Sequence, residues 1–161
     1  MFKGEVRQMK QEDLPRAEAI LALYWSGELK DRFVKRMRDF VAQTEESIEQ
    51  KYKYVVAEEG GEVVGMAALR KAPQFMSQFT TTSNPAEFYI AAVKYKEKGI
   101  GFALREERIK EARRLGFTEA VFFSAESHKD SWNFHDDSEF KRMGKALSPN
   151  GEGGQVWGMI L

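Results

Sequence analysis

Gly99 and Gly101 stand in the run Lys94-Tyr95-Lys96-Glu97-Lys98-Gly99-Ile100-Gly101, between an apolar stretch and a segment with helical spacing. Glycine has no side chain to stand in the way, so a ligand can come close to the backbone N–H groups. At the start of a helix those groups lack partners and lie at the positive end of the dipole, which suits a phosphate or pyrophosphate. Lys94, Lys96 and Lys98 add positive charge beside them. Spacing alone leaves two readings open, a phosphate-binding loop and a plain strand-to-helix turn. Two other phosphate motifs are set aside: no Gly-Lys-Ser/Thr follows, as a P-loop needs, and the third glycine and downstream acid of a dinucleotide site are missing. His128 and His135 are the side chains that titrate near neutral pH, and two isolated histidines in a polar stretch also fit a surface role. No His, Asp or Glu set has metal-ligand spacing, so no metal is expected. The absence of cysteine excludes disulfides and thiolate chemistry.

The elements around this loop follow from the same residues. Phe88-Tyr89-Ile90-Ala91-Ala92-Val93 is an unbroken apolar run with aromatic and β-branched members, which predicts a strand buried on both faces, opened by Glu87. After the glycines, Leu104, Ile109, Ala112 and Leu115 fall near 3.6-residue spacing, with Gly116 placed as a left-handed cap, so the order is strand, loop, helix. Upstream, Glu5 to Met9 alternates as a short strand would. A helix then begins near Asp13 as N-cap, with Pro15 in its first turn and Leu14, Ala17, Ile20, Leu21 and Tyr24 on one face. A second amphipathic helix starts at about Glu28, carrying Leu29, Phe33, Met37, Phe40 and Val41, and its basic residues form a solvated face. Lys53–Ala57 and Val63–Leu69 flank Gly60-Gly61 and read as a hairpin. Phe75, Met76 and Phe79 interrupt a polar stretch, either as a satellite cluster or as the lip of a pocket. Downstream, Ala120–Ser124 and Gln155–Leu161 read as strands, and Ser131–Met143 reads as a helix.

A chain of 161 residues suits one domain with one core, here spanning residues 1–161. Hydrophobic residues at 42% and charged residues at 31% describe a globular protein that is neither disordered nor membrane-spanning. With 25 basic and 25 acidic residues the net charge is zero, which argues against nucleic acid as a main partner. No apolar run approaches a bilayer span, and the first residues lack a signal-peptide core, so no membrane partner is expected and the cytoplasm is the default compartment.

Tyr95-Lys96-Glu97-Lys98-Gly99-Ile100-Gly101 resembles the acetyl-CoA loop of the GNAT family of N-acetyltransferases, whose pattern is Arg/Gln-x-x-Gly-x-Gly/Ala, with Lys96 where Arg or Gln is usual. The helix residues Phe102 to Leu115-Gly116-Phe117 follow the family's pattern too. Asn133 and Gly144 match its later Asn-x-x-Ala-x-x-x-Tyr-x-x-x-Gly-Phe, whereas Asp136, Phe140 and Lys145 depart from it. The resemblance spans nearly the whole chain and is most specific over Tyr95–Gly116.

The resemblance implies an α/β fold: a mixed, mostly antiparallel sheet of about seven strands flanked by helices, with the fourth and fifth strands splayed. It implies acetyl-CoA as cosubstrate. The pyrophosphate would lie on Lys96, Glu97, Lys98, Gly99, Ile100, Gly101 and Phe102. The pantetheine arm would lie along the strand around Ala91, Ala92 and Val93, Asn133 would also bind the cofactor, and Phe140 would stand beside the sulfur. The reaction implied is direct transfer of an acetyl group to a primary amine of a small molecule or peptide. An alkyl ammonium with a pKa of about 10.4 is only roughly 0.1% neutral at pH 7, so something must take its proton. Glu87 stands where the family often carries the base, although the stretch from Val93 to the glycines is shorter than usual; His135 is the fallback. The family's Tyr often protonates the departing thiolate, which Phe140 cannot do. That departure also supports a different reading, a CoA-binding regulator or interaction module without turnover. In the same family, Tyr24, Trp25 and Phe33 would line the acceptor cleft, with core packing as the alternative for each. The chain is expected to act as a monomer or homodimer.

Overall fold

The computed structural model describes residues Met1–Leu161. Its elements in chain order are β1 (Glu5–Gln8), α1 (Leu14–Leu21), α2 (Gly27–Ala42), α3 (Glu45–Glu49), β2 (Lys53–Glu59), β3 (Glu62–Lys71), β4 (Pro85–Val93), α4 (Ile100–Arg114), β5 (Glu119–Ala125), α5 (Trp132–Asp136), β6 (Lys141–Leu147) and β7 (Gly153–Ile160). The strands form one seven-stranded sheet in the order β1-β2-β3-β4-β5-β7-β6. The recorded ladders are antiparallel except β4 with β5, which run parallel. No helix is long and apolar enough to cross a membrane. By contacts the chain divides into two units, Met1–Arg70 with Ile90–Lys110, and Lys71–Tyr89 with Glu111–Leu161.

In the first unit, Gly60 and Gly61 both take left-handed φ values, +60° and +79°. That is the twist a two-residue hairpin turn requires, and Glu59 and Glu62 close it as register partners. Above the hairpin, Ile100 and Leu104 of α4 pack on Val55, Ala57, Val64 and Ala67. The approach is close enough that a Cβ on Gly65 would meet Ile100 Cγ2 at 2.8 Å, so only glycine fits there. α1 buries Leu14, Ala17, Ile20 and Leu21, and α2 buries Val34, Met37 and Phe40. Each of these side chains larger than alanine contributes roughly 1.5–3 kcal/mol when fully buried. Asp13 occupies the N-cap position of α1, as expected, but its carboxylate makes no cap bond. It accepts instead from Lys10 N at 2.8 Å and from both Arg7 nitrogens, at 2.7 and 2.9 Å. Burial opposes its ionisation, yet the Arg7 and Lys10 donors outweigh that and hold it below the usual carboxylate range. α4 also buries the Arg108 guanidinium, whose Nη1 donates to Ala68 O at 3.4 Å. Burial, with Arg105 beside it, pushes Arg108 below the usual guanidinium range.

In the second unit, β4 and β5 pair from Pro85–Glu119 to Glu87–Val121. β5 then pairs with β7 along its whole length, and β7 with β6. The buried Glu119 carboxylate accepts from Thr81 N at 2.9 Å and Thr82 N at 3.0 Å, which ties down the preceding loop. Met76 is fully buried against Val121 and Val156, with Phe75 and Phe79 packed around it; those three residues are therefore a satellite cluster, not a pocket lip. α4 ends as predicted: Gly116 has φ +85°, Gly116 N donates to Arg113 O at 3.1 Å and Phe117 N to Ala112 O at 3.0 Å, which completes a Schellman cap.

Two sequence expectations need correction. β4 begins at Pro85, ahead of Glu87, and it is not buried on both faces throughout, because Tyr89 is half-buried and Ala91 exposed. The helix expected over Ser131–Met143 is only α5, Trp132–Asp136, after which the chain turns into strand β6. Aromatic residues, Asn, Asp and Ser are weak helix formers, so this segment has little local preference to set against pairing with β7. Gly144, just past the expected end of that helix, lies at a register shift in β6 with φ +149°.

Candidate functional site

The turn after β4 is built from backbone. Lys94 N donates to Val64 O at 2.8 Å, and Lys94–Lys98 then run exposed to α4. Glu97 and Gly99 take left-handed φ values of +60° and +83°. For Glu97 that is an uncommon conformation, and a Cβ on Gly99 would in addition meet Met1 Cε at 2.9 Å. The first helical bond recorded at this end is Ala103 N to Gly99 O, 3.1 Å. Ile100, Gly101 and Phe102 thus supply N–H groups at the helix end, where no acceptor exists within the helix. Phe102 is 53% exposed beside them. Lys94 pairs with Glu62, which raises the Lys94 ammonium and lowers the Glu62 carboxyl from their ordinary values. Lys96 Nζ lies 5.7 Å from the Tyr24 ring centroid. In β4, Ile90 and Ala92 are buried, Ala91 is exposed and Val93 half-buried. All the residues expected on the cofactor from Ala91 to Phe102 therefore belong to the first unit.

Glu87, Asn133, His135 and Phe140 belong to the second unit. Glu87 is 5% exposed and is the register partner of Val121, so it shares that residue's face of the sheet. Phe88 and Phe122, the next residues along, point to the opposite face. On that face Phe140 meets Phe88 at 5.6 Å and Phe122 at 5.0 Å, and His135 meets Phe122 at 4.7 Å. Glu87 and His135 are thus not members of one constellation. His135 Nε2 is 3.4 Å from Ser131 Oγ, and Asn133 is exposed on α5. Phe140 is 1% exposed, closed in by its aromatic neighbours.

Two sets of contacts escape the sequence reading. Tyr24 Oη donates to Val93 O at 2.7 Å, at the mouth of the turn. Asp136 accepts from Trp157 Nε1 at 3.0 Å and from Arg142 Nε and Nη2 at 2.9 and 2.8 Å. Those donors, Arg142 first, hold the Asp136 carboxyl down at about 2. Spacing reveals neither the Tyr24–Val93 bond nor the Trp157–Asp136 bond, which join residues 69 and 21 positions apart.

The profile described as the acetyltransferase (GNAT) family matches residues 15–140. The chain belongs to that family. Among solved structures, a putative GNAT acetyltransferase from Desulfovibrio desulfuricans is similar with a TM-score of 0.79 at 15% identity, covering 96% of this chain and 97% of its own. The PaiA N-acetyltransferase from Thermoplasma acidophilum, solved with coenzyme A, has a TM-score of 0.65 at 16% identity over 98% of both chains. AAC(6')-Ib, solved with ribostamycin and coenzyme A, has a TM-score of 0.73 at 15% identity, covering 97% of this chain and 92% of its own. At these identities the likeness is one of fold. No curated protein matches the sequence. The seven-stranded mixed sheet with a parallel β4–β5 pair is the GNAT fold anticipated from the glycine run.

Proposed function

We propose that this GNAT chain, residues 1–161 acting as one domain, is an N-acetyltransferase that uses acetyl-CoA as cosubstrate and transfers the acetyl group directly to a primary amine of a small molecule or peptide. The observation that carries the reading is the junction at the end of β4. Left-handed Glu97 and Gly99 lead into α4, so the first turn of α4 directly follows a turn bearing Lys94, Lys96 and Lys98. Those residues fit a pyrophosphate: the donors are backbone, the dipole end is positive, and the glycines carry no side chain of their own. Bound there, acetyl-CoA would supply the thioester. The exposed Ala91 and half-buried Val93 are the positions of β4 that suit the pantetheine arm.

In this reading the amine nitrogen bonds to the thioester carbonyl carbon, the C–S bond breaks, and CoA leaves as thiolate. Glu87, directly or through a water, takes the proton that the amine must lose; His135 is the alternative acceptor. Phe140 has no proton to give, so the thiolate leaves without a protein donor at that position, which a thiol pKa of about 8.5 permits. The acceptor itself is an amine of either a small molecule or a peptide; the PaiA and AAC(6')-Ib structures support the chemistry of the cosubstrate and do not narrow the acceptor.

The test is acetyl-CoA consumption against a panel of polyamines, amino acids, aminoglycosides and peptides, together with melting in the presence of acetyl-CoA. At a hundredfold excess over Kd a ligand adds roughly 2.7 kcal/mol, a rise of about 5–10 °C for a chain of this size. That rise should vanish in Gly101→Val, whose branched side chain crowds the pyrophosphate. A Gly101→Val protein that melts and binds as the parent does would move the cofactor site elsewhere. A melting rise with no turnover on any amine would favour the regulator reading instead.

A further inference from the structure

The peptide that joins Val93 to Lys94 is held on both sides. Its N–H, on Lys94, donates to Val64 O of β3 at 2.8 Å, and its carbonyl, on Val93, accepts from Tyr24 Oη at 2.7 Å. In a trans peptide these two groups point in opposite directions, so the pair of bonds fixes the tilt of the peptide plane. This is the last peptide before the turn that leads to Gly99. Its orientation therefore sets the direction in which the turn leaves the sheet.

Tyr24 is built to hold that position. The N–H groups of Tyr24 and Trp25 both donate to Leu21 O at 3.0 Å, and Leu21 is fully buried at the end of α1. The Tyr24 ring lies 5.7 Å from Trp25, which meets Phe33 of α2 edge-on at 5.2 Å. A line of ring contacts thus runs from α2 to the turn and limits how far the hydroxyl can drift. The same ring carries the Lys96 ammonium at 5.7 Å, within cation–π range. One side chain therefore touches both the peptide that aims the turn and the cation that opens the Lys96–Gly101 run.

We propose that Tyr24 is a positioning residue for the acetyl-CoA turn: its hydroxyl orients the Val93–Lys94 peptide, and its ring holds Lys96 over the turn until a pyrophosphate is bound. The proposal rests on the reading of that turn as the cofactor site. It assigns a role to a residue outside the glycine run and makes the segment between α1 and α2 part of the cofactor-binding apparatus.

Tyr24→Phe keeps the ring and removes the hydrogen bond. Titration with acetyl-CoA should show Kd raised about 3- to 10-fold, the worth of one such bond. In the free protein, amides 95–101 should exchange faster while those of β2 and β3 keep the parent's rates. Tyr24→Leu, which removes the ring as well, should raise Kd further, and that extra part should disappear in a Lys96→Met background. Unchanged Kd and unchanged exchange in Tyr24→Phe overturn the proposal. So does faster exchange throughout Met1–Arg70, which would mark Tyr24 as ordinary packing. The exchange measurement needs no ligand. If the parent protein fails to bind acetyl-CoA, the cofactor reading falls, while the exchange of 95–101 still decides whether Tyr24 sets the turn.

Discussion

The turn at Lys94–Gly99 and the corner formed by α5, β6 and β7 are built on opposite terms. The turn is exposed, and a few backbone bonds define it: Lys94 N to Val64 O, Phe2 N to Lys98 O at 2.6 Å, and the Tyr24 hydroxyl on Val93 O. The corner is a block of rings. Trp157 is fully buried and stacks on Phe122 at 5.3 Å; Trp132 meets it edge-on at 5.6 Å; and both indoles are bonded, Trp132 Nε1 to Ser124 Oγ and Trp157 Nε1 to Asp136. Arg142 pairs with Asp136 and lies 5.4 Å from the Trp132 ring centroid. Changes in the turn should therefore register in ligand binding and hardly at all in folding, because little apolar surface is buried there. Changes in the corner should register first in stability.

Glu87 is the sharpest exception to that division, because it is a buried residue of the second unit to which chemistry is assigned. Glu87→Gln keeps the shape of the side chain, and kcat/KM at pH 7 is expected to fall roughly 10²–10⁴-fold, the usual worth of a placed proton acceptor, with acetyl-CoA Kd nearly unchanged. If turnover survives intact while the melting temperature drops, Glu87 belongs with the packing and His135 becomes the residue to replace.

Trp157→Ala removes the ring at the centre of the corner. A loss of about 3–5 kcal/mol is expected from denaturant unfolding, from the cavity and the Asp136 acceptor left without its indole donor. The fraction still folded should bind acetyl-CoA as the parent does. A loss under about 1 kcal/mol would mean that the corner carries no more of the stability than the turn.

Phe140→Tyr puts a hydroxyl where Phe88 and Phe122 close in on a side chain that is 1% exposed. Without a partner the buried oxygen costs about 1–3 kcal/mol, so the variant should melt several degrees lower. A variant that melts with the parent and turns over faster would show that the ring edge reaches the reacting sulfur.

The smallest effect is that of acid. The Asp136 carboxyl is held at about 2, below its unfolded value of about 3.9, by Arg142 and Trp157. A group lowered in the folded state stabilises above the unfolded pKa, and that contribution is lost as pH falls toward the folded one. Melting temperature should therefore decline from about pH 4 toward pH 2 more gently in Asp136→Asn than in the parent. Parallel curves over that range would assign the decline to other carboxylates, with Asp13 the next to replace.

What the sequence by itself determined was local. The glycine turn at Gly60-Gly61, the strand-loop-helix order around Gly99, the cap at Gly116 and the buried face of α1 all follow from backbone preferences and helical or strand spacing within a few residues, whereas the fold class came from the likeness of the Tyr95–Gly101 run to a known family. Tertiary structure decided whatever depends on a partner far along the chain. β6 became a strand because β7 pairs with it, and Phe140 became an inner member of an aromatic block because Phe88 and Phe122 stand across from it. Asp13 turned from its own helix to Arg7 and Lys10, since a guanidinium and an amide offer a carboxylate more than one cap bond does. Tyr24 reached Val93, 69 positions away, through an oxygen that no periodicity could aim. Local preferences are worth tenths of a kcal/mol to about 1 kcal/mol per residue, and a buried ring or a charge-assisted bond is worth more, so where the two compete the distant contact prevails.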